Sequence, residues 1–289
     1  MEYQLALPIL DRYAPWVLGG LALILLILEL YIPLRKRNQA KWNRWRQNIS
    51  LSLIGLPAAR LLLLPITFMW AGFVTQEGFG LINWLPAPGW LQLVLGMLAL
   101  DYGIYVWHRL NHVFPFLWRF HNVHHVDRDM DLSTGIRFHI GELLMSIPFR
   151  FVVIAFFGVG PVAILVYEII FEAATLFHHS NWRLPRGVER LLAFFIITPR
   201  QHGIHHSKVK EESDSNYGTV LNWWDKLHRS SRMNIPQDKL EIGIPGYEED
   251  RDHSVGQLLK MPFQKPRPWQ KTNGEVPRRA PDELDAPLR

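Results

Sequence analysis

The sequence contains no cysteine among its 289 residues. This absence excludes disulfide bonds, zinc sites built from thiolates, and iron–sulfur clusters of the usual cysteine-ligated type. Any metal ion that the chain binds must therefore be held by nitrogen and oxygen ligands.

Other common signatures are also missing. The net charge of +5 would suit nucleic acid, but no basic helix or aromatic-basic binding motif accompanies it, and anionic lipid headgroups are the better match. The chain shows no flavin or nucleotide fingerprint and no fused haem domain. Any redox chemistry would therefore need electrons from a separate reductase or small carrier.

Long apolar blocks are abundant. Hydrophobic residues make up 48% of the chain, and many of the twelve Trp stand at the edges of the blocks, as is typical of membrane proteins. The blocks cover residues 16–33, 51–74, 90–107 and 140–177. The last is long enough for nearly two crossings and is interrupted by Gly158 and Pro161, which predicts a hairpin.

These patterns predict an all-α fold: a polytopic bundle of about four to five membrane helices with a histidine-rich helical cap. We expect membrane helices in residues 1–89, a catalytic domain in 90–232 and a cytoplasmic segment in 233–289. Pro57 and Pro65 should kink the second helix without ending it. Residues 191–197 are too short to cross and should lie at the interface or in the core, and residues 265–289 should form a solvated or disordered tail.

Basic residues indicate the sidedness. The loop after the first block is rich in Lys and Arg, whereas residues 76–89 contain neither. The positive-inside rule places that first loop in the cytoplasm, and the following crossings return every histidine cluster to the same side. The first block lacks the features of a cleaved signal peptide. We expect a multi-pass protein of the bacterial inner membrane or the endoplasmic reticulum, with the former favoured.

Most of the thirteen histidines fall into tight groups. On a helix, side chains three and four positions apart share a face, so the rings within each group can bind one metal ion or bridge two. The groups hold more imidazoles than one structural zinc ion needs, which predicts two ions. Imidazole suits Zn, Cu, Fe and Ni, and nitrogen ligands with open positions favour oxygen activation. The grouped residues are His108 and His112; His121, His124 and His125; His178 and His179; and His202, His205 and His206.

Three of these histidine clusters, which begin at His108, His121 and His202, resemble the histidine boxes of the fatty acid hydroxylase superfamily. The surrounding sequence resembles the sterol desaturase branch of that superfamily. The resemblance covers residues 101–227 and includes the S-T-G-I-R-F-H segment that ends at His139, followed by Glu142, and the F-H-H-S-N segment that contains His179. It implies a non-haem di-iron site with two Fe ions and O2 as co-substrate, acting on a lipid from the bilayer. It also implies a separate electron donor, which we expect to be a ferredoxin or a cytochrome b5-like protein with its reductase. The ligands that it implies are His108, His112, His121, His124, His125, His179, His202, His205, His206 and, as a tenth, His139, with His178 as a neighbour.

Two carboxylates share helix faces with expected ligands. Asp101 precedes His108 by two turns and Glu172 precedes His179 likewise, so both are candidates for orienting the rings, with helix packing as the alternative. Asn216 either supports the last histidine box or forms a plain turn. His228 is expected to be structural and His253 solvent-exposed.

Two other functions remain open at this stage. The first is a di-zinc membrane hydrolase, which would act without oxygen. The second is a non-enzymatic membrane protein that stores or senses metal. The expected activity is hydroxylation or desaturation of a lipid C–H bond.

Overall fold

The computed structural model describes residues 2–280, with side chains from residue 12 onward. This described part is helical, and its β-structure consists of three isolated bridges. Within residues 2–280, five helical segments are long and apolar enough to cross a membrane. They are Arg12–Tyr31, Lys41–Gln76, Gly89–Val113, Ile140–Phe157 and Pro161–His179. The chain is a multi-pass membrane protein, and the predicted all-α bundle is confirmed.

Two crossings lie in the N-terminal part. Helix α1 (Glu2–Tyr31) contains the first crossing. The second is one continuous helical span formed by α2 (Lys41–Ala58), a π-helical segment (Ala59–Leu63) and α3 (Leu64–Gln76). Pro57 lies inside α2 and Pro65 begins α3. Because proline has no N–H to donate, regular α-helical bonding cannot run through both positions. The π-helical segment between them keeps the chain helical, as expected for prolines in a membrane helix.

The next helices carry the histidines to one end of the bundle. Helix α4 (Gly89–Val113) is followed at once by the short α5 (Pro115–His125). The predicted hairpin then forms from α6 (Ile140–Phe157) and α7 (Pro161–His179). Gly158 occupies its turn with φ of +76°, where a side chain would be strained. A Cβ at Gly80 would collide with the Gly158 backbone, so the α3–α4 loop packs directly on this turn.

Short helices form a cap over the end of the bundle at which α4 and α7 finish. They are α8 (Arg186–Phe195), α9 (Pro199–His205), α10 (Lys210–Ser213), α11 (Trp223–Leu227) and α12 (Val255–Lys260). One apolar core lies between the membrane helices and includes Ala71, Leu100 and Ile164. A second lies in the cap around Val123 and Leu258.

Helix α8 contains most of the short apolar block that was not expected to cross. It exposes Val188, Leu191, Phe194 and Phe195. It buries Glu189, which is 2% exposed and accepts a hydrogen bond from Arg200 at 2.9 Å. The exposed side carries these apolar side chains beside Arg186 and Arg190, whereas Glu189 is turned inward onto Arg200. The helix therefore has the polarity of a segment at a membrane interface.

The C-terminal segment makes defined contacts as far as Arg279, although a solvated or disordered tail was expected from residue 265. Arg267 pairs with Asp252, Trp269 donates a hydrogen bond to the Lys208 carbonyl at 2.8 Å, and Arg279 binds Glu212 at 2.8 Å. Residues 281–289 lie outside the described residues.

His253 corrects the expectation of solvent exposure. Its side chain is buried, and its Nε2 donates to the Tyr247 carbonyl at 3.0 Å. Burial lowers the pKa of His253 to about 4. His253 was expected to be exposed because it lies near a polar tail in the sequence. The segment that contains it packs back onto the cap and buries it.

Candidate metal centre

Nine buried histidines converge where the cap meets the membrane helices. They come from α4, α5, α7 and α9, and His206 ends α9. The donor atoms in each of two groups lie within 4.8 Å of one another. The first group is His108, His112, His121, His125 and His205, and the second is His124, His179, His202 and His206. These are nine of the ten residues predicted as ligands, and the assignment as ligands stays a prediction.

The histidine boxes that begin at His121 and at His202 each contribute rings to both spatial groups. On α5, His121 and His125 join the first group and His124 joins the second. On α9, His205 joins the first group, whereas His202 and His206 join the second. Because both helices contribute to both groups, the two groups adjoin and form a candidate site for two ions.

Backbone carbonyls orient four of the nine rings. A carbonyl can only accept, so the Nδ1–H of each such ring donates and the Nε2 lone pair is left free. The donor–acceptor pairs are His108 with Tyr217 at 2.7 Å, His124 with Arg137 at 3.1 Å, His179 with Thr175 at 2.8 Å, and His205 with Ser215 at 2.7 Å.

Glu142 orients one further ring. Its Oε1 accepts a hydrogen bond from His121 Nδ1 at 2.9 Å, and both residues are buried. A carboxylate in this position fixes the tautomer and makes the imidazole a more basic ligand. Glu142 was quoted in the family resemblance but not selected as a site residue. Its position three residues after His139, in the first turn of a membrane helix, could have identified it as a site residue.

The rings that lie outside the membrane helices are held neutral. Burial lowers the pKa of each well below its ordinary value, and neighbouring imidazoles lower it further. Their nitrogen lone pairs therefore stay available at neutral pH. These residues are His124, His125, His202, His205 and His206.

The distances between ring nitrogens fit a bound cation. Facing Nε2 atoms lie 3.1 Å apart in His108 and His121, 3.1 Å apart in His124 and His179, and 2.9 Å apart in His179 and His202. Ligands that bind one ion at about 2.1 Å and at right angles are about 3.0 Å apart. His205 Nε2 is buried without a hydrogen-bond partner in the described part of the chain. The donor set therefore fits imidazole-binding metals, iron among them.

His139 is not brought into either group. Its Nδ1 accepts from Gly141 N–H at 2.9 Å and caps the start of α6, and its Nε2 lies 3.3 Å from the Leu259 carbonyl. Both nitrogens are thus engaged elsewhere, and a role as a tenth ligand stays a prediction that this arrangement does not favour. His178 lies beside the second group, with its ring 4.0 Å from that of His202, and donates to the Thr219 carbonyl.

The two carboxylates selected by helix spacing do not contact a histidine among the described residues. Asp101 accepts from Tyr167 at 2.8 Å, from Trp224 at 2.8 Å and from the Leu221 N–H at 3.1 Å. It therefore joins α4 to α7 and to the cap, which is the packing alternative. Glu172 instead lines a cavity on the membrane side of the histidines.

Asn216 has a φ of +52°, which places it in a turn, and its side chain hydrogen-bonds to two neighbouring segments. Its Nδ2 donates to the carbonyls of Gln201 and Arg232 at 2.8 and 2.9 Å, and its Oδ1 accepts from Arg232 N–H. The turn thereby holds α9 next to the carbonyl that orients His205. The two alternatives for this residue are compatible.

Helix α2 forms hydrogen bonds with the segment that carries the second histidine box, which the sequence patterns did not reveal. Fully buried Arg137 donates to the Val123 carbonyl at 2.8 Å and to Asn48 at 2.7 Å. Arg44 binds Asp127 through two nitrogens, at 2.7 and 2.8 Å. These bonds tie α2 to the segment that carries the second histidine box, and the charge of Arg44 holds the pKa of Asp127 well below its usual value in spite of burial.

A cavity of about 350 Å³ leads from the histidines into the membrane part. His108, His124 and His179 line it at the cap end. Further from the cap its walls include Leu18 and Leu63, which come from different membrane helices. A largely apolar cavity of this kind suits a lipid chain.

Comparison with known proteins gives a consistent result. The family model described as fatty acid hydroxylase matches residues 93–230. The ornithine lipid hydroxylase OlsE of Rhizobium tropici is 34% identical over 160 residues, which are 55% of this chain and 47% of that protein. No solved structure is significantly similar.

Animal proteins are also similar to the chain. The human alkylglycerol monooxygenase is 27% identical over 52% of this chain and 33% of its own length. The cholesterol 25-hydroxylase of Rattus norvegicus is 26% identical over 51% of this chain and 53% of its own length. In these relatives the match covers about half of the protein or less.

Proposed function

We infer that the protein is a lipid-oxidising membrane enzyme, because residues 93–230 match the family model described as fatty acid hydroxylase. It hydroxylates or desaturates a C–H bond of a lipid and uses O2. The observation that carries this proposal is the pair of adjoining histidine groups at the end of an apolar cavity between membrane helices. The relatives named as hydroxylases and monooxygenases support it.

The nine grouped histidines would hold two iron ions. Iron bound there would supply the activation of O2, which amino-acid side chains cannot perform. The chain's own part is to present the ring nitrogens, through carbonyl acceptors and Glu142, in one tautomer. The cavity supplies the position of the lipid chain and excludes water from the reacting carbon.

The orientation and the partners belong to the same proposal. The basic loop between α1 and α2 lies at the histidine end, so the positive-inside rule places that end in the cytoplasm. The lipid enters from the bilayer, and a separate carrier of the ferredoxin or cytochrome b5 type delivers electrons at the cytoplasmic face. The bacterial inner membrane is favoured over the endoplasmic reticulum as the location.

Labelled oxygen tests the activity. Purified protein supplied with a reductant and a lipid extract should insert oxygen from labelled O2 into a lipid, or form an alkene only when O2 is present. Metal analysis should find iron. Oxygen-independent hydrolysis with bound zinc would indicate the hydrolase instead, and metal binding without any lipid product would indicate a storage or sensing protein.

Variants link the activity to the histidine groups. His205→Ala should abolish both iron content and product, because its Nε2 faces the first group. His228→Ala is a matched control, since that exposed ring stacks on Tyr105 outside both groups. A His205→Ala enzyme that keeps its iron and its turnover would contradict the proposal.

A further inference from the structure

An ion pair lies inside the cavity, in the membrane part of the protein. Arg150 on α6 donates a hydrogen bond to Glu168 on α7, and both residues line the cavity. Glu172, one turn closer to the histidines, lines it as well. Ionisable side chains in membrane-spanning helices are costly and usually have a function.

The pair has unused hydrogen-bonding capacity. Arg150 is 8% exposed, and its Nε has no hydrogen-bond partner among the residues that the structure describes. A buried donor without a partner costs free energy, so a pure helix brace would be expected to engage it. The free N–H in the wall of a cavity therefore indicates a bound group that accepts a hydrogen bond.

The distance along α7 relates this position to the histidines. About three helical turns separate Glu168 from His179, which corresponds to about 16 Å. A ligand that spans the cavity would thus have its polar group at the ion pair and an apolar carbon near the histidines.

The charges select the kind of polar group. Arg60 is exposed and lies outside the lining of the cavity, but it is close enough to Glu172 to interact electrostatically. Each of the two glutamates in the lining is therefore matched by one arginine. A charged ligand would leave an unbalanced charge in a low-dielectric environment. An uncharged hydroxyl can accept from Arg150 and donate to Glu168, and it leaves no charge unpaired.

We propose that Arg150 and Glu168 bind the hydroxyl group of an amphipathic lipid and so select its oxidised carbon, about 16 Å away at the histidines. This inference rests on the proposed function and adds the polar end of its substrate. Both side chains act on specificity, and neither touches the reacting carbon.

Binding of four probes of equal chain length tests the inference. A long-chain alcohol, the alkane, the amine and the carboxylic acid compete with a fluorescent lipid for the full-length protein in nanodiscs. The alcohol should bind about tenfold more tightly than the alkane, which is the effect expected of one hydrogen bond to a charged group. Equal binding of these two probes, or tightest binding of the amine or the acid, would overturn the inference.

A double variant separates recognition from helix packing. Arg150→Met/Glu168→Leu removes both charges and leaves neither one buried alone. It should lose the preference for the alcohol and keep the affinity for the alkane. Arg267→Met/Asp252→Leu removes an ion pair of the cap and should retain the preference. If the membrane double variant retained it too, the inference would be wrong.

The position of oxidation gives an independent readout. In a series of alcohols of increasing length, wild-type protein should oxidise a carbon at a constant distance from the hydroxyl, whereas a count that is constant from the methyl end would contradict the inference. The binding measurement needs neither iron nor turnover. A protein that prefers the alcohol but forms neither an oxygenated lipid nor an O2-dependent alkene would therefore refute the proposed function and not the hydroxyl site.

Discussion

At the scale of single residues, the orientation of several rings depends on acceptors from other segments of the chain, such as the Tyr217 carbonyl for His108. Asp101 and Glu172 were selected because helical spacing places them on the same face as a histidine. Spacing along one helix does not reveal what the neighbouring helix supplies. The ring of His121 instead meets Glu142, which comes from the next membrane helix.

Replacement of Glu142 by Gln should weaken the metal site without unfolding the protein. The amide oxygen can still accept from His121, but the negative charge that makes the ring more basic is lost. We expect about a 10- to 100-fold loss of iron affinity or turnover. Iron content at defined free iron and product formation from labelled O2 measure it.

Two further variants complete this test. Glu142→Ala should lose more than Glu142→Gln, because no acceptor remains for the His121 Nδ1–H. Glu77→Gln changes an exposed carboxylate at the end of α3 and should behave like the wild type. Normal affinity and normal turnover in Glu142→Gln would show that the charge has no role.

At the scale of elements, α8 differs from a helix on the surface of a soluble protein. Its Glu189 is buried against Arg200, whereas Leu191 and Phe194 are 64% and 59% exposed. Burial of the charged side is possible because the ion pair satisfies it. The apolar side then needs a lipid environment, and the position of α8 in the cap puts it beside the bundle's end.

A spin label at position 194 should detect that environment. Because the chain has no cysteine, Phe194→Cys gives a single labelling site. The label should be more accessible to lipid-soluble O2 than to a water-soluble paramagnetic complex. Arg251→Cys, at an exposed position of the cap, should show the opposite order. Water-like accessibility at both positions would rule out the interfacial position of α8.

At the scale of the whole molecule, the histidine groups connect elements that are remote in sequence. Helices α4, α5, α7 and α9 all contribute rings, so a bound ion would join the membrane bundle to the cap. Ions that bind only the folded chain stabilise it by mass action.

Removal of metal should therefore lower the thermal stability of the full-length protein. Each site held at about 100 times its Kd adds about 2.7 kcal/mol, so chelation should lower Tm by at least about 5 °C. Thermal unfolding in nanodiscs with and without chelator measures the change. Readdition of ferrous iron should restore Tm, and His124→Ala should show a smaller shift. An unchanged Tm after complete loss of metal would argue that the rings do not hold ions between the elements.

The membrane helices, the hairpin and the metal-binding character follow from the sequence alone. Apolar blocks, Gly158 with Pro161, and histidines three and four positions apart act within one element, where spacing determines which side chains share a face. The tertiary structure decided how His124 and His205 separate from their neighbours into two groups, that Glu142 meets His121, that His139 caps a helix, and that Arg150 pairs with Glu168 in the wall of the cavity. These relations depend on how distant elements pack, and no local spacing encodes them.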